Sequence, residues 1–237
     1  MNLIYNNWKN EELIKKYTTY LKSLKEENKV LRTKTIVNTK MPCLGISNTI
    51  SRKIANEIKK GNFLSYLDQK IFVYYESTII YGYLIGEIKD FNLVVKYLNI
   101  LLQNTDNWAT VDTVPFKKII KNNYNELYNY AKHLITIDDE FSIRMGIKIF
   151  FEYVLDDEKL KEIFSLLNNF YNSNYYYVNM VIAWFISHAY IRNKQLTLNY
   201  LDNHNLNKFT INKAIQKCRD SLRVSKEEKD LLLKYKV

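Results

Sequence analysis

The chain has 237 residues and carries 35 lysines and arginines against 25 aspartates and glutamates, a formal net charge of +10. With 47% hydrophobic residues it can build a core, but with 5 glycines and 2 prolines it lacks the turn residues that β-sandwiches and glycine-rich phosphate-binding folds need. The excess of positive charge favours an anionic partner, either a nucleic acid or an acidic surface. No apolar run approaches the ~20 residues of a membrane helix, so we expect a cytoplasmic protein without a membrane span.

Residue spacing excludes several kinds of site. Cys43 and Cys218 lie far apart and form no metal-ligand pattern, so reduced thiols are expected. The three histidines also lack metal-ligand spacing, and no glycine-rich nucleotide motif occurs. We therefore expect neither a metal nor a diffusible cofactor.

The N-terminal part of the chain predicts helices between residues 10 and 60. Apolar residues recur at helical spacing from Asn10 to Leu31, which predicts one amphipathic helix. A break follows at residues 40–46. Ser47 or the next residue is a candidate N-cap of another helix, which we expect to stop at Gly61.

From residue 70 to residue 222 the chain repeats a helical pattern about every 34 residues. Apolar helical segments begin near Phe72, Asn107, Phe141, Tyr176 and Phe209. Shorter amphipathic segments lie between them, at Phe91–Leu102, Lys159–Asn169 and Gln195–Leu201. Two helices per repeat predict an all-α fold of the α-solenoid type. A bundle of evenly spaced helices is the alternative.

No linker or low-complexity stretch divides the chain, so we expect one domain spanning residues 1–237. Ser225 followed three residues later by Glu228 is a capping-box pattern that predicts a short last helix over residues 225–235. In a solenoid, the second helices of successive repeats line one face. Side chains on those helices can therefore converge on one groove although they are distant in sequence.

The segment from Asn107 to Asp112 places Trp108 and Asp112 four residues apart, on one face of a predicted helix. A carboxylate beside an indole on a basic protein suits a site that faces a polyanion and stabilises a cation within it. The alternatives are a core tryptophan and a surface or capping aspartate.

Five motifs, taken together and in order, resemble those of AlkD-like DNA alkylation repair proteins. They are Leu44-Gly45-Ile46 followed by Arg52-Lys53, Trp108-Ala109-Thr110-Val111-Asp112, Phe141-Ser142-Ile143-Arg144, Ile182-Ala183-Trp184, and residues 212–217. The resemblance spans roughly residues 10–222 and follows the repeat spacing.

The resemblance implies HEAT-like repeats that curve around a basic concave groove holding duplex DNA, in a protein that acts as a monomer. It implies a DNA glycosylase that removes cationic N3- and N7-alkylated purines, again without metal or cofactor. Asp112 is then the catalytic carboxylate, and Trp108 and Trp184 contact the lesion. The residues implied to bind DNA phosphates are Arg144, Arg52, Lys53, Lys213, Lys217 and Arg219.

Two positions depart from the pattern of active relatives. Ile36 stands where they have a tyrosine, and Ser187 stands where they have a second arginine. These departures support an alternative, a duplex or branched DNA-binding protein without catalytic activity. A third hypothesis is a solenoid that binds an acidic protein partner.

Overall fold

A computed structural model describes residues 1–237 and is all-helical, with 70% of the residues helical, 15 α-helices and no strand. The predicted all-α class is therefore confirmed. The chain divides into two compact units, Met1–Leu127 and Tyr128–Val237, which we term the N-terminal and C-terminal units. No helix combines the length and the apolar character needed to cross a membrane.

The N-terminal unit contains eight complete helices. They are α1 (Glu11–Ser23), α2 (Glu27–Val37), α3 (Asn48–Ile58), α4 (Phe63–Leu67), α5 (Tyr75–Ile85), α6 (Phe91–Gln103), α7 (Trp108–Thr113) and α8 (Lys117–Asn122). The next helix, α9 (Tyr124–Leu134), crosses the boundary between the units.

The remaining helices belong to the C-terminal unit. They are α10 (Glu140–Phe150), α11 (Asp157–Leu167), α12 (Tyr176–Arg192), α13 (Lys194–Asn203), α14 (Lys208–Asp220) and α15 (Lys226–Leu231). Short 3-10 turns follow at Phe151–Tyr153, Asn168–Phe170 and Leu232–Tyr235.

Side-chain caps set several helix starts where the sequence predicted them. The Ser47 hydroxyl accepts from the Ile50 amide at the start of α3. Ser225 and Glu228 form the predicted capping box at α15, with each side chain bonded to the other's backbone amide. Because the first amides of a helix have no partner inside the helix, such polar side chains determine where it begins.

Two predicted segments are broken. The helix predicted from Asn10 to Leu31 is divided into α1 and α2, because the amide of Glu26 bonds to the carbonyl of Leu44 instead of continuing the helix. Gly45 allows that approach: its φ is +74°, and a Cβ there would lie 2.7 Å from the Glu26 carbonyl oxygen. The segment from Asn107 breaks after α7, where Val114 is extended before a proline.

In each unit three helices pack side by side. In the N-terminal unit α5 contacts both α3 and α7, and in the C-terminal unit α12 contacts both α10 and α14. Every residue of α5 is buried. Glu76 and Thr78 on this helix are buried polar residues, and both take part in hydrogen bonds to neighbouring segments.

The segment before α1 packs into the core of the N-terminal unit, which the sequence did not predict. Trp8 is fully buried and meets the rings of Tyr5, Tyr17 and Tyr66 edge-on, at centroid distances of 5.3, 5.4 and 5.0 Å. Tyr17 and Tyr66 also share a hydroxyl hydrogen bond of 2.9 Å. Edge-on aromatic packing adds to the free energy gained by burial.

Trp8→Ala should therefore lower the free energy of unfolding by about 3–5 kcal/mol, since it leaves a large cavity among these rings. The measurement is urea unfolding followed by circular dichroism. Lys9→Ala, a change of the exposed neighbour, is the control and should have almost no effect. A loss below about 1 kcal/mol for Trp8→Ala would contradict the assignment of Trp8 to the core.

A buried carboxylate fixes the loop at residues 43–46. Glu76 on α5 is fully buried, and its carboxylate accepts the amides of Leu44 (3.0 Å), Gly45 (2.7 Å) and Ile46 (3.2 Å). Burial raises the pKa of Glu76, and the amide hydrogen bonds oppose that rise. The LGI motif is thus a carboxylate-binding turn, in which consecutive amides replace the water that burial removes.

Glu76→Gln should destabilise the protein by about 2 kcal/mol or more. The side-chain NH2 of glutamine would face backbone amides that are themselves donors, so buried donors would be left without acceptors. The comparison is the urea midpoint of this variant with that of Glu11→Gln, which alters an exposed glutamate. Equal midpoints for the two variants would show that the three amides do not depend on the carboxylate.

Candidate functional site

Trp108 and Asp112 lie on α7 one helical turn apart, as predicted, and both are half-buried. Asn107 precedes them and is fully buried, and its side chain accepts from the Thr110 amide at 2.9 Å. This N-cap fixes the start of the helix. The orientation of the indole and the carboxylate is therefore set by the first turn of α7.

A buried hydroxyl pair attaches α7 to α5. Thr110 and Thr78 are both fully buried, and their hydroxyls lie 2.6 Å apart. Thr78 also donates to the carbonyl of Tyr75, so both hydroxyls take part in hydrogen bonds. A short helix held in this way has little freedom to rotate, because rotation would leave the hydroxyls unbonded in the core.

The indole of Trp108 reaches the end of α2. Its Nε1 donates to the carbonyl of Ile36 at 3.3 Å, and the Ile36 side chain is 56% exposed. Ile36 is the residue that stands where active relatives are expected to have a tyrosine. The structure therefore places that position beside Trp108, but with an aliphatic side chain that offers no hydroxyl.

Asp106 joins the same region and was not recognised from the sequence. Its carboxylate accepts the Thr39 hydroxyl, the Lys40 amide at 2.6 Å and the Asn107 side-chain amide at 3.2 Å. Burial favours the neutral form, but these hydrogen bonds outweigh it and lower the pKa of Asp106. Asp106 thus connects the residues after α2 to the start of α7.

Arg144, predicted to bind phosphate, lies in the C-terminal unit and is only 5% exposed. Its Nη1 donates to the carbonyl of Tyr177 at 2.7 Å, which fixes the guanidinium between α10 and α12. Glu140 accepts the amide of that same tyrosine at 2.6 Å.

Trp184 lies on α12 in an aromatic cluster. Its ring is 4.5 Å from that of Phe151, and Phe151 is 5.0 Å from the ring of His188. The Nζ atom of Lys148 lies 5.4 Å from the Phe151 ring and 5.8 Å from the Trp184 ring. Trp184 and His188 are half-buried, so part of this cluster meets solvent.

Ser187 lies on the same helix as Trp184. It is 5% exposed and contacts Cys218 of α14 through its hydroxyl. The position at which relatives are expected to have an arginine is therefore part of the packing between α12 and α14 in this chain.

The predicted basic residues occupy two helices. On α3, Arg52 and Lys53 are exposed, and the Arg52 guanidinium lies 4.9 Å from the Tyr83 ring. On α14, Lys213 and Arg219 line an open cavity together with Lys236. Lys217 is half-buried on the same helix. Each helix thus places positive charge at the surface of its own unit.

His188 carries the largest downward pKa shift among the histidines. Burial, and after it the positive charges of Arg192, Lys148 and Arg223, lower the pKa of His188 to about 4 from an ordinary 6.5. The imidazole is therefore neutral in the folded protein at pH 7 and in moderate acid. An unfolded chain takes up a proton at His188 near pH 6.5, whereas the folded chain does not until about pH 4.

This difference predicts a loss of stability as the pH falls. Between pH 6.5 and pH 4, His188 should contribute about 2 kcal/mol to the decline in unfolding free energy, because only the unfolded state binds the proton. In His188→Gln this part of the decline should be absent when urea midpoints are compared across that range. His133→Gln, at an exposed histidine, is the control. An unchanged pH profile in His188→Gln would contradict the assignment.

The profile of the DNA alkylation repair enzyme family matches residues 10–218, from the residue that caps α1 through most of α14. The matched stretch contains Trp108, Asp112, Arg144 and Trp184. No curated protein is similar enough to the chain to be matched with it. Membership in this family implies DNA as the partner and DNA alkylation repair as the process. Because the match covers most of the sequence, the chain belongs to the DNA alkylation repair enzyme family.

Proposed function

We propose that the protein is a monofunctional DNA glycosylase that hydrolyses the N-glycosidic bond of cationic N3- and N7-alkylated purines in duplex DNA. The single observation that carries the proposal is the Trp108–Asp112 pair on the capped helix α7, in a chain of this family. The formal charge of +10 supports the choice of duplex DNA.

The reaction needs an ionised carboxylate that stabilises a cation, and it does not need an acid that protonates the leaving base. A purine alkylated at N3 or N7 is already cationic, so the bond from C1′ to the base nitrogen breaks with its electron pair leaving on a neutral base. The deoxyribose becomes an oxocarbenium ion. Asp112 would stabilise that cation and accept a proton from the water that attacks C1′, in the manner of glycoside hydrolysis.

The remaining residues are proposed to hold the DNA. Trp108 and Trp184 present half-exposed indole faces, which attract a cationic base or sugar. Arg144, Arg52, Lys53, Lys213, Lys217 and Arg219 are proposed to contact phosphates, which fixes the position of the strand without selecting a base. Within each unit, we propose that the side-by-side second helices are HEAT-like repeats.

The test is release of free base from duplex DNA that contains 7-methylguanine or 3-methyladenine. Asp112→Asn keeps the side-chain shape but removes the charge, so base release should fall by about 100-fold or more. Asp202→Asn, at an exposed aspartate of α13, is the matched control and should retain wild-type release. Equal release by wild type and Asp112→Asn would exclude the proposed role of Asp112.

A second candidate is a DNA-binding protein without glycosylase activity. It is supported by Ile36, an exposed aliphatic residue whose backbone carbonyl accepts the indole of Trp108, and by the buried Ser187. This candidate predicts salt-dependent binding to duplex or branched DNA with no release of base by the wild-type protein. Base release that depends on Asp112 would reject it.

A further inference from the structure

We propose that Asp106 is the positioning residue of the Trp108–Asp112 site. Its carboxylate holds residues 36–40, the end of α2 and the turn after it, against the start of α7. The effect on the reaction rests on the proposed function, whereas the effect on the Trp108 indole stands on the geometry alone. Neither the sequence motifs nor the family match assigns a role to Asp106.

The carboxylate of Asp106 bonds to both residues that follow the left-handed turn at the end of α2. Asn38, with a φ of +56°, ends that helix, and asparagine adopts this conformation more readily than most residues. The Thr39 hydroxyl and the Lys40 amide then donate to the two carboxylate oxygens, the amide at 2.6 Å. Thr39 is only 5% exposed, so its hydroxyl would lose a buried partner if Asp106 moved away.

The same carboxylate sets the orientation of the Asn107 amide group, which caps α7. Only the NH2 end of an asparagine side chain can donate, and here it donates to Asp106 at 3.2 Å. The oxygen end is thereby directed to the Thr110 amide, which it accepts at 2.9 Å. Asn107 is fully buried, so a rotated amide group would bring its NH2 against another donor. Asp106 thus acts on the first turn of the helix that carries Asp112.

The indole of Trp108 bonds to the same piece of backbone. Its Nε1 donates to the carbonyl of Ile36 at 3.3 Å, three residues before Thr39. The acceptor of the indole therefore stays in place only while Asp106 holds the turn. Without the carboxylate, the turn and the indole should move relative to Asp112. A displacement of about 1 Å near reacting atoms is enough to slow a reaction about 100-fold.

The geometry is tested by the NMR signals of the indole Nε1–H groups in the full-length protein. The chain has three tryptophans, Trp8, Trp108 and Trp184, and Trp108→Phe and Trp184→Phe assign their signals. In Asp106→Asn the Trp108 signal should move upfield, because its proton loses the Ile36 carbonyl. The Trp8 and Trp184 signals should stay in place.

Two Thr39 variants test the same contact without changing the charge. Thr39→Val removes the donor and should reproduce the upfield shift, whereas Thr39→Ser keeps the hydroxyl and should leave the signal unchanged. The matched control is Asp68→Asn, which removes a carboxylate that accepts the Tyr97 hydroxyl in the same unit and should not move the Trp108 signal. An unmoved signal in Asp106→Asn would overturn the proposal, as would an equal shift in Asp68→Asn. Should Asp106→Asn fail to fold, the Thr39 pair decides in its place.

The effect on the reaction is tested by single-turnover release of 7-methylguanine from duplex DNA. Asp106→Asn should lower the rate constant by about 10-fold or more, while the Kd for the duplex changes by less than about twofold. Asp68→Asn should keep both values. A merely structural role would lower the fraction of active protein, and thus the amplitude, but not the rate constant. A wild-type rate constant in Asp106→Asn, or an equal loss in Asp68→Asn, would show that Asp106 does not position the site.

Failure of this inference and failure of the proposed function are distinguishable. If the wild type releases no alkylated base but the Trp108 signal moves in Asp106→Asn, the positioning contact stands and the glycosylase proposal fails. If base release depends on Asp112 while neither the signal nor the rate constant changes in Asp106→Asn, the glycosylase proposal stands and Asp106 has no positioning role.

Discussion

The N-terminal unit depends on the buried carboxylate of Glu76. Burying that group is costly unless hydrogen bonds replace its water, and three consecutive amides at residues 44–46 supply them. The same turn explains the break between α1 and α2, because Leu44 accepts the amide of Glu26. The carboxylate of Glu76 therefore fixes the turn against which α2 begins, and the end of α2 contacts Trp108 through the carbonyl of Ile36.

A second carboxylate, that of Asp106, fixes the start of α7 by hydrogen bonds in the same way. Its carboxylate binds the residues that follow α2, and the neighbouring Asn107 caps the helix that carries Trp108 and Asp112. The two candidate site residues thus stand on a short helix that side-chain hydrogen bonds hold at its start and on its buried face. Such a fixed first turn suits a carboxylate that must face a developing positive charge, because preorganised groups need no rearrangement during the reaction.

In the C-terminal unit, two positively charged side chains of α10 lie in different environments. Arg144 is buried and bonded to a backbone carbonyl, whereas Lys148, one turn later on α10, reaches the rings of Phe151 and Trp184. The same face of α10 therefore carries a buried arginine bonded to the backbone and a lysine in contact with aromatic rings. The low pKa of His188 has the same origin, since the cations nearby add to the effect of burial.

The sequence by itself determined the helical class, the capping box at Ser225 and the Trp108–Asp112 spacing on one helix. These features depend on interactions within a few residues, which periodicity and capping patterns record directly. It did not reveal the break near Glu26, the burial of Trp8 and Arg144, or the contact of Lys148 with the ring of Trp184. Only the tertiary structure decided those, because each depends on residues distant in sequence: a glycine turn against Glu26, a tyrosine of α4 against Trp8, the carbonyl of Tyr177 beside Arg144, and an indole of α12 beside Lys148.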